Sequence, residues 1–180
     1  MKGYHNLEKQ SAQRFDSQGW FCTGDTGSFD EQGNLIITGR LSEMFKTSTG
    51  KFVCPIPLEQ ALLTHPLIDA AMVIADGKSF VTALLFVEAQ AFKRAFTKYQ
   101  NSAEGADSHD ADHCIMQTLQ KHINLTNATL NNWEQIRSFR LITEEPTIES
   151  GLLTPTMKLC RGKVMEQHAD MIESMYSNKA

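Results

Sequence analysis

Four short stretches of this sequence carry side chains whose types and spacing could do chemistry. Thr23-Gly24-Asp25 places a carboxylate directly after a glycine, where it can accept two hydrogen bonds from a vicinal diol. Gly39-Arg40 closes an apolar run with a guanidinium, a planar fork of donors suited to sugar and phosphate oxygens. Lys158 ends Thr154-Pro155-Thr156-Met157-Lys158 and offers an ammonium of the kind that stabilises charge growing on phosphoryl oxygens. Lys46 is a second lysine, just ahead of Ser48-Thr49-Gly50, a turn bearing two hydroxyls. Singly, each is ordinary. A lone Thr-Gly-Asp is usually a turn whose aspartate bonds its own backbone, and a strand-end Arg or Lys is usually solvated.

Other chemistries find less support. His109 and His113 stand four apart within Asp107-Ser108-His109-Asp110-Ala111-Asp112-His113-Cys114, a spacing that can hold a metal. The general base of an HExxH site is missing, and the segment reads as a polar loop leading into a helix, so no metal is assigned. No GxSxG nucleophile elbow occurs. Cys22, Cys54, Cys114 and Cys160 are scattered without a CxxC pair, which points to free thiols in a reducing cytosol. A net charge of -4 and the lack of a basic stripe argue against nucleic acid as a partner. No stretch approaches the roughly 18 apolar residues of a membrane span. Peripheral membrane contact stays compatible with the sequence.

The elements that must hold these residues read as α+β. At 180 residues, 41% of them hydrophobic, the chain can bury roughly 70% of its unfolded surface in a real core. Residues 1–19 are polar and irregular. A hairpin follows, turning through Glu31-Gln32-Gly33-Asn34 into the strand Leu35-Ile36-Ile37-Thr38. A second short pair of strands covers 44–47 and 51–53, and Pro55 and Pro57 open a short helix. The apolar runs 70–75 and 81–87 predict two core strands. Residues 89–99 suit a helix, 101–112 an exposed loop, 113–123 another helix and 136–142 a strand. Turns at 144–146 and 150–151 flank a short hairpin. From Gly162 a Met-rich amphipathic helix closes the chain. The result is a small mixed sheet flanked by helices, preceded by a β hairpin, with a boundary near Leu41-Ser42.

Taken in order, three blocks resemble the last three conserved blocks of the adenylate-forming superfamily. They are Gly19 to Asp25 with Gly27, Gly39 to Val53 continuing to Glu59, and Leu153 to Arg161. The details are most similar to long-chain fatty-acid–CoA ligases. The resemblance implies that Asp25, with Thr23, binds the ribose of ATP and of the acyl-adenylate, and that Arg40 faces the nucleotide. Lys158 would serve adenylation. Ser42 would be the hinge about which a small carboxy-terminal domain rotates between half-reactions. After rotation Lys46 and Ser48, Thr49 and Gly50 would face the site where CoA attacks. Met157 stands where the family usually has glycine, and Thr49 replaces one glycine of its turn.

The resemblance also implies ATP, AMP, CoA and Mg²⁺ as cofactors and substrates, and a fatty acid as the acid. The family's phosphate loop, ending in Pro-Lys-Gly, does not occur in these 180 residues. Residues 1–41 are therefore expected to be the tail end of a large adenylate-binding domain, and 42–180 the mobile domain. The chain alone is expected to be an inactive fragment of a cytoplasmic ligase, in or out of contact with a membrane surface. A stand-alone interaction module and an acyl-AMP ligase of the same superfamily are the rival readings.

Overall fold

The computed structural model describes residues 1–87 and 108–177, with side chains from 115 onward in the second stretch. The expected helix at 89–99 and the first part of the loop at 101–112 lie outside the described residues. The chain divides into two compact units, Met1–Met44 and Phe45–Ala180.

The first unit is built on a hairpin of β1 (Asp25–Phe29) and β2 (Leu35–Arg40), paired antiparallel. Its turn is held by Asp30. That carboxylate accepts from the backbone N–H groups of Gln32 at 2.9 Å and Asn34 at 2.8 Å, and from the Asn34 side chain at 2.9 Å. The Asn34 side chain first, and then the backbone donors, hold the Asp30 carboxyl below its usual range. Gly33 supplies the expected positive φ of 82°. Residues 1–19 are not wholly irregular, since α1 (Glu8–Ala12) forms one short turn of helix.

The hairpin has almost no interior. Phe29 is 74% exposed and Ile37 59%, and of β2 only Gly39 is buried. An isolated two-stranded hairpin of this kind is marginal in water. Amide hydrogen exchange on this chain should therefore find β1 and β2 nearly unprotected while the core strands of the second unit exchange slowly. Limited proteolysis should then cut before Phe45 and leave the second unit as the surviving fragment. Equal protection in both units would contradict this.

The second unit begins with the short pair β3 (Phe45–Lys46) and β4 (Phe52–Val53), followed by α2 (Pro55–Leu62). A three-stranded sheet follows, of β5 (Ile68–Ile74), β6 (Val81–Val87) and β7 (Ile136–Ile142), in the order β5-β6-β7. β5 and β6 are antiparallel, whereas β7 joins parallel to β6, so the sheet is mixed. A parallel neighbour needs a crossover, of which α3 (Ser108–Asn127) is the described part. The helix begins earlier than the expected residue 113, so 108–112 are helical and not loop.

Alternation explains the continuous apolar runs. Ala71, Val73 and Ala75 of the β5 segment, with Val81, Ala83 and Leu85, join a core with Leu58 and Leu62 of α2 and Ile115, Leu119 and Ile123 of α3. Met72, Ile74, Leu84 and Phe86 join a second core with Leu152, Val164, Ile172 and Met175. Both sheet faces are thus covered, and β6 is buried along its whole length. Truncating one of its leucines to alanine would cost about 2–5 kcal/mol.

The closing helix is interrupted at His168, giving α4 (Arg161–Gln167) and α5 (Ala169–Ser177). The Met stripe is split too: Met175 is buried, but Met165 is 44% exposed. Thr82, the polar residue of β6, is fully buried, and its hydroxyl lies 2.8 Å from that of Tyr176. Burial pushes the Tyr176 phenol up.

Candidate functional site

In the first unit, Thr23, Asp25, Arg40 and Ser42 line one hollow of about 540 Å³, with Arg14, Phe21, Cys22, Gly24 and Leu41. Strand register brings the charged pair together. Asp25 and Arg40 are directly opposite in the β1–β2 ladder, and Arg40 Nε stands 3.1 Å from Asp25 Oδ1. A bulge between Thr26 and Gly27 fixes that pairing. A Cβ on Gly27 would come within 2.9 Å of the Ile36 carbonyl, so glycine is required there. Thr23 braces the loop, its Oγ1 accepting from the Asp25 N–H at 3.0 Å. The second carboxylate oxygen is free to join Oδ1 in accepting from a ligand diol, because the ion pair uses only one.

Ser42 lies in a 3₁₀ turn, Leu41–Glu43, with an exposed side chain. Sequence reasoning missed Arg14. Its Nη1 lies 3.5 Å from where a Cβ on Gly24 would stand, so a second guanidinium lines the hollow beside Gly24, whose φ of 79° favours glycine.

In the second unit, Lys46 and the Ser48-Thr49-Gly50 turn join β3 to β4. The Thr47 hydroxyl lies 2.9 Å from that of Thr49 and accepts from the Lys51 N–H at 3.1 Å. Gly50 has φ 81°. The pair is pinned to the β5–β6 turn: Lys46 N–H donates to Asp76 Oδ1 at 3.2 Å and Gly77 N–H to the Lys46 carbonyl at 2.9 Å. The Lys46 side chain is exposed, with its ammonium 5.9 Å from the Phe52 ring centroid. Beside the turn is a hollow of about 210 Å³ lined by Thr47, Thr49, Ser79, Phe80, Asn132, Trp133 and Arg137. Trp133 is 42% exposed, and Lys51 Nζ stands 5.0 Å from its ring centroid. These aromatic and cationic residues were also missed. An aromatic in the polar stretch Asn131-Asn132-Trp133-Glu134 was the available signal.

Lys158 occupies a tighter hairpin than the turns at 144–151 suggest, centred further along the chain. Leu153 bridges Leu159, Thr154 N–H donates to the Lys158 carbonyl at 2.8 Å, and Cys160 N–H to the Leu152 carbonyl at 2.8 Å. Thr154 Oγ1 accepts from Lys158 N–H at 3.1 Å. The backbone is thus satisfied without the ammonium, which is exposed on the hairpin. Met157 has φ 60°, a left-handed conformation that costs an L residue about 1–2 kcal/mol. Its side chain is 68% exposed, so glycine would lose little packing. Met157→Gly should therefore stabilise the chain by roughly 0.5–1 kcal/mol, the strain relieved less the flexibility gained by the unfolded state. Met157→Val should destabilise it, and urea unfolding of both variants checks the pair of signs.

A family model described as "AMP-binding enzyme C-terminal domain" matches residues 43–180. The chain belongs to this family. Along 98% of its length it is 37% identical to the long-chain-fatty-acid–CoA ligase FadD15 of Mycobacterium tuberculosis and 32% identical to ACSBG1, a long-chain-fatty-acid–CoA ligase of Bos taurus. It spans only 30% and 27% of those two proteins. Among solved structures it resembles the adenylation domain of a carboxylate reductase from Mycobacterium chelonae, with a TM-score of 0.74 and 26% identity over 98% of this chain and 26% of that one. The A domain of a Segniliparus rugosus carboxylic acid reductase, solved with AMP and a carboxylic acid, matches with a TM-score of 0.72 and 25% identity over the whole of this chain and 27% of its own.

Membership in the AMP-binding enzyme C-terminal domain family accounts for the α+β architecture of the second unit. Among the described residues no group of three His, Cys, Asp or Glu side chains is placed to hold a metal ion. The His109 and His113 side chains lie outside them. No described helix is long and apolar enough to cross a membrane.

Proposed function

We propose that this chain acts as the carboxy-terminal part of an AMP-forming long-chain fatty-acid–CoA ligase. In the first half-reaction a fatty carboxylate attacks the α-phosphorus of ATP, pyrophosphate leaves, and an acyl-adenylate forms. In the second, the CoA thiol attacks the acyl carbonyl, its proton is lost, and AMP leaves. Asp25 would accept from the ribose hydroxyls, Arg40 would brace that carboxylate, and Lys158 would meet the charge growing at the α-phosphoryl oxygens. Ser42 would be the hinge between residues 1–41, tail of the large domain, and residues 42–180, the moving domain. Lys46 and the Ser48–Gly50 turn would face CoA after rotation, with Trp133 and Arg137 beside it to meet a purine and a phosphate. Mg²⁺ would travel on the polyphosphate of ATP. A long-chain acid also suits an enzyme in the cytoplasm that touches a membrane surface.

The observation that carries this reading is the exposed Lys158 ammonium on a fully bonded hairpin, in a chain aligned along nearly its whole length with long-chain ligases. The chain alone, given ATP, Mg²⁺, palmitate and CoA, should release no AMP. The full-length protein should form AMP and acyl-CoA in equal amounts, with long-chain acids preferred. Turnover by the chain alone, or none by the full-length protein with any carboxylic acid, would overturn the assignment.

A further inference from the structure

Glu59 and Arg161 stand in two of the conserved blocks, yet neither has a role in the reading above. β5 is an edge strand, so some of its N–H and C=O groups face away from the sheet without a neighbouring strand. At Val73 a side-chain pair replaces that strand. Glu59 Oε1 accepts from the Val73 N–H at 2.8 Å, and Arg161 Nη1 donates to the Val73 carbonyl at 3.0 Å. Arg161 Nη2 donates to the same Glu59 oxygen, closing the ring. The side chains are 17% and 34% exposed, for Glu59 and Arg161 respectively. The guanidinium carbon also lies 5.2 Å from the centroid of the Phe45 ring.

Arg161 follows Cys160, whose N–H closes the stem of the Lys158 hairpin on Leu152. Leu152 and Leu159 seat the apolar side of the same stem on the sheet, and the Arg161–Glu59 pair adds the polar tie to the β5 edge. We propose that Arg161 and Glu59 are positioning residues for Lys158. The pair clamps the stem of its hairpin to the edge of β5, and so sets where the ammonium stands as phosphoryl charge develops. This rests on the reading of Lys158 as the adenylation lysine. Lys46 depends on the pair far less, because its backbone is held separately by Asp76 and Gly77.

Displacing a stabilising group by about 1 Å can cost on the order of 100-fold in rate. In the full-length protein, Arg161→Met should slow single-turnover adenylate formation by about 30- to 100-fold. Thioester formation from supplied acyl-adenylate should change less than about threefold, the asymmetry expected of a displaced transition-state group. Arg161→Lys keeps the charge but cannot reach both Glu59 and the Val73 carbonyl, and should recover only part of the loss. In a Lys158→Ala background Arg161→Met should cost nothing further, since there is no ammonium left to misplace. A residue that merely stabilised the fold would lower both half-reactions and act additively with Lys158→Ala, and either result overturns the proposal. If Lys158→Ala alone leaves adenylation intact, the reading of Lys158 has failed and this proposal falls with it. Should Arg161→Met not fold, Glu59→Gln keeps an acceptor for the Val73 N–H, loses the charge, and carries the same test.

Discussion

Replacing Lys158 by alanine in the full-length protein should slow adenylate formation about 100-fold or more, the scale of losing one electrostatic stabiliser. Thioester formation from supplied acyl-adenylate should change far less. The hairpin that presents Lys158 is closed by its own backbone and by Thr154, so the truncation removes a charge without loosening its support. That charge is needed only while the α-phosphoryl oxygens gain negative charge, and the second half-reaction makes no such demand. Lys46→Ala should do the reverse, slowing the CoA step and sparing the first. Its β3–β4 turn is bonded to the β5–β6 turn through main-chain atoms and Asp76, so this variant too should fold normally. The two lysines sit on different hairpins of the second unit. A domain that rotates between steps would bring them to the reacting centre in turn. Single-turnover assays of each half-reaction separate the cases. Equal slowing of both steps by both variants would remove the two-orientation assignment.

What could be read from the residues alone follows from which physics is local. The runs at 70–75 and 81–87 announce buried strands because both faces are apolar, and the structure sends Val73 and Met72 into separate cores. The spacing of Ile115, Leu119 and Ile123 announces a buried helical face for the same reason. That α3 already includes residues 108–112 is harder to see, because this stretch is polar and shows no apolar period. The site was legible as residue types but not as contacts. That Asp25 opposes Arg40 depends on a bulge of one residue, and shifting the register by one would turn the pair to opposite faces. The Glu59–Arg161 clamp joins residues more than 100 positions apart, and no local pattern foretells it. Arg14 reaches the hollow because the Phe15–Phe21 bridge and the Cys22 N–H on the Arg14 carbonyl fold this stretch back on itself. Met157 shows the opposite case: the departure from glycine is visible in the sequence, and its cost becomes clear only with the φ of 60°.

Asp25→Asn should weaken ATP binding by the full-length protein about 10- to 100-fold, because hydrogen bonds to a charged acceptor contribute about 1.5–3 kcal/mol. The fold should hardly notice. The Asp25–Arg40 pair is partly solvent-exposed, with side chains 27% and 60% accessible, and pairs open to solvent contribute about 0–1 kcal/mol to stability. A weaker affinity alone would not identify the ribose as the partner, since freeing Arg40 could also disturb the hollow. The discriminating ligand is 2′-deoxy-ATP. With aspartate in place, removing one hydroxyl leaves a carboxylate oxygen unpaired, and the deoxy nucleotide should bind about tenfold more weakly. With asparagine the bonds to the ribose hydroxyls lose their charge assistance, so the preference for ATP over the deoxy nucleotide should shrink. Arg40→Met provides the control. It removes the brace without touching the acceptor, so it should weaken both nucleotides in proportion and preserve their ratio. Isothermal titration of the three proteins with both nucleotides gives all six affinities. If Asp25→Asn keeps the full preference for ATP over 2′-deoxy-ATP, the carboxylate does not hold the ribose diol.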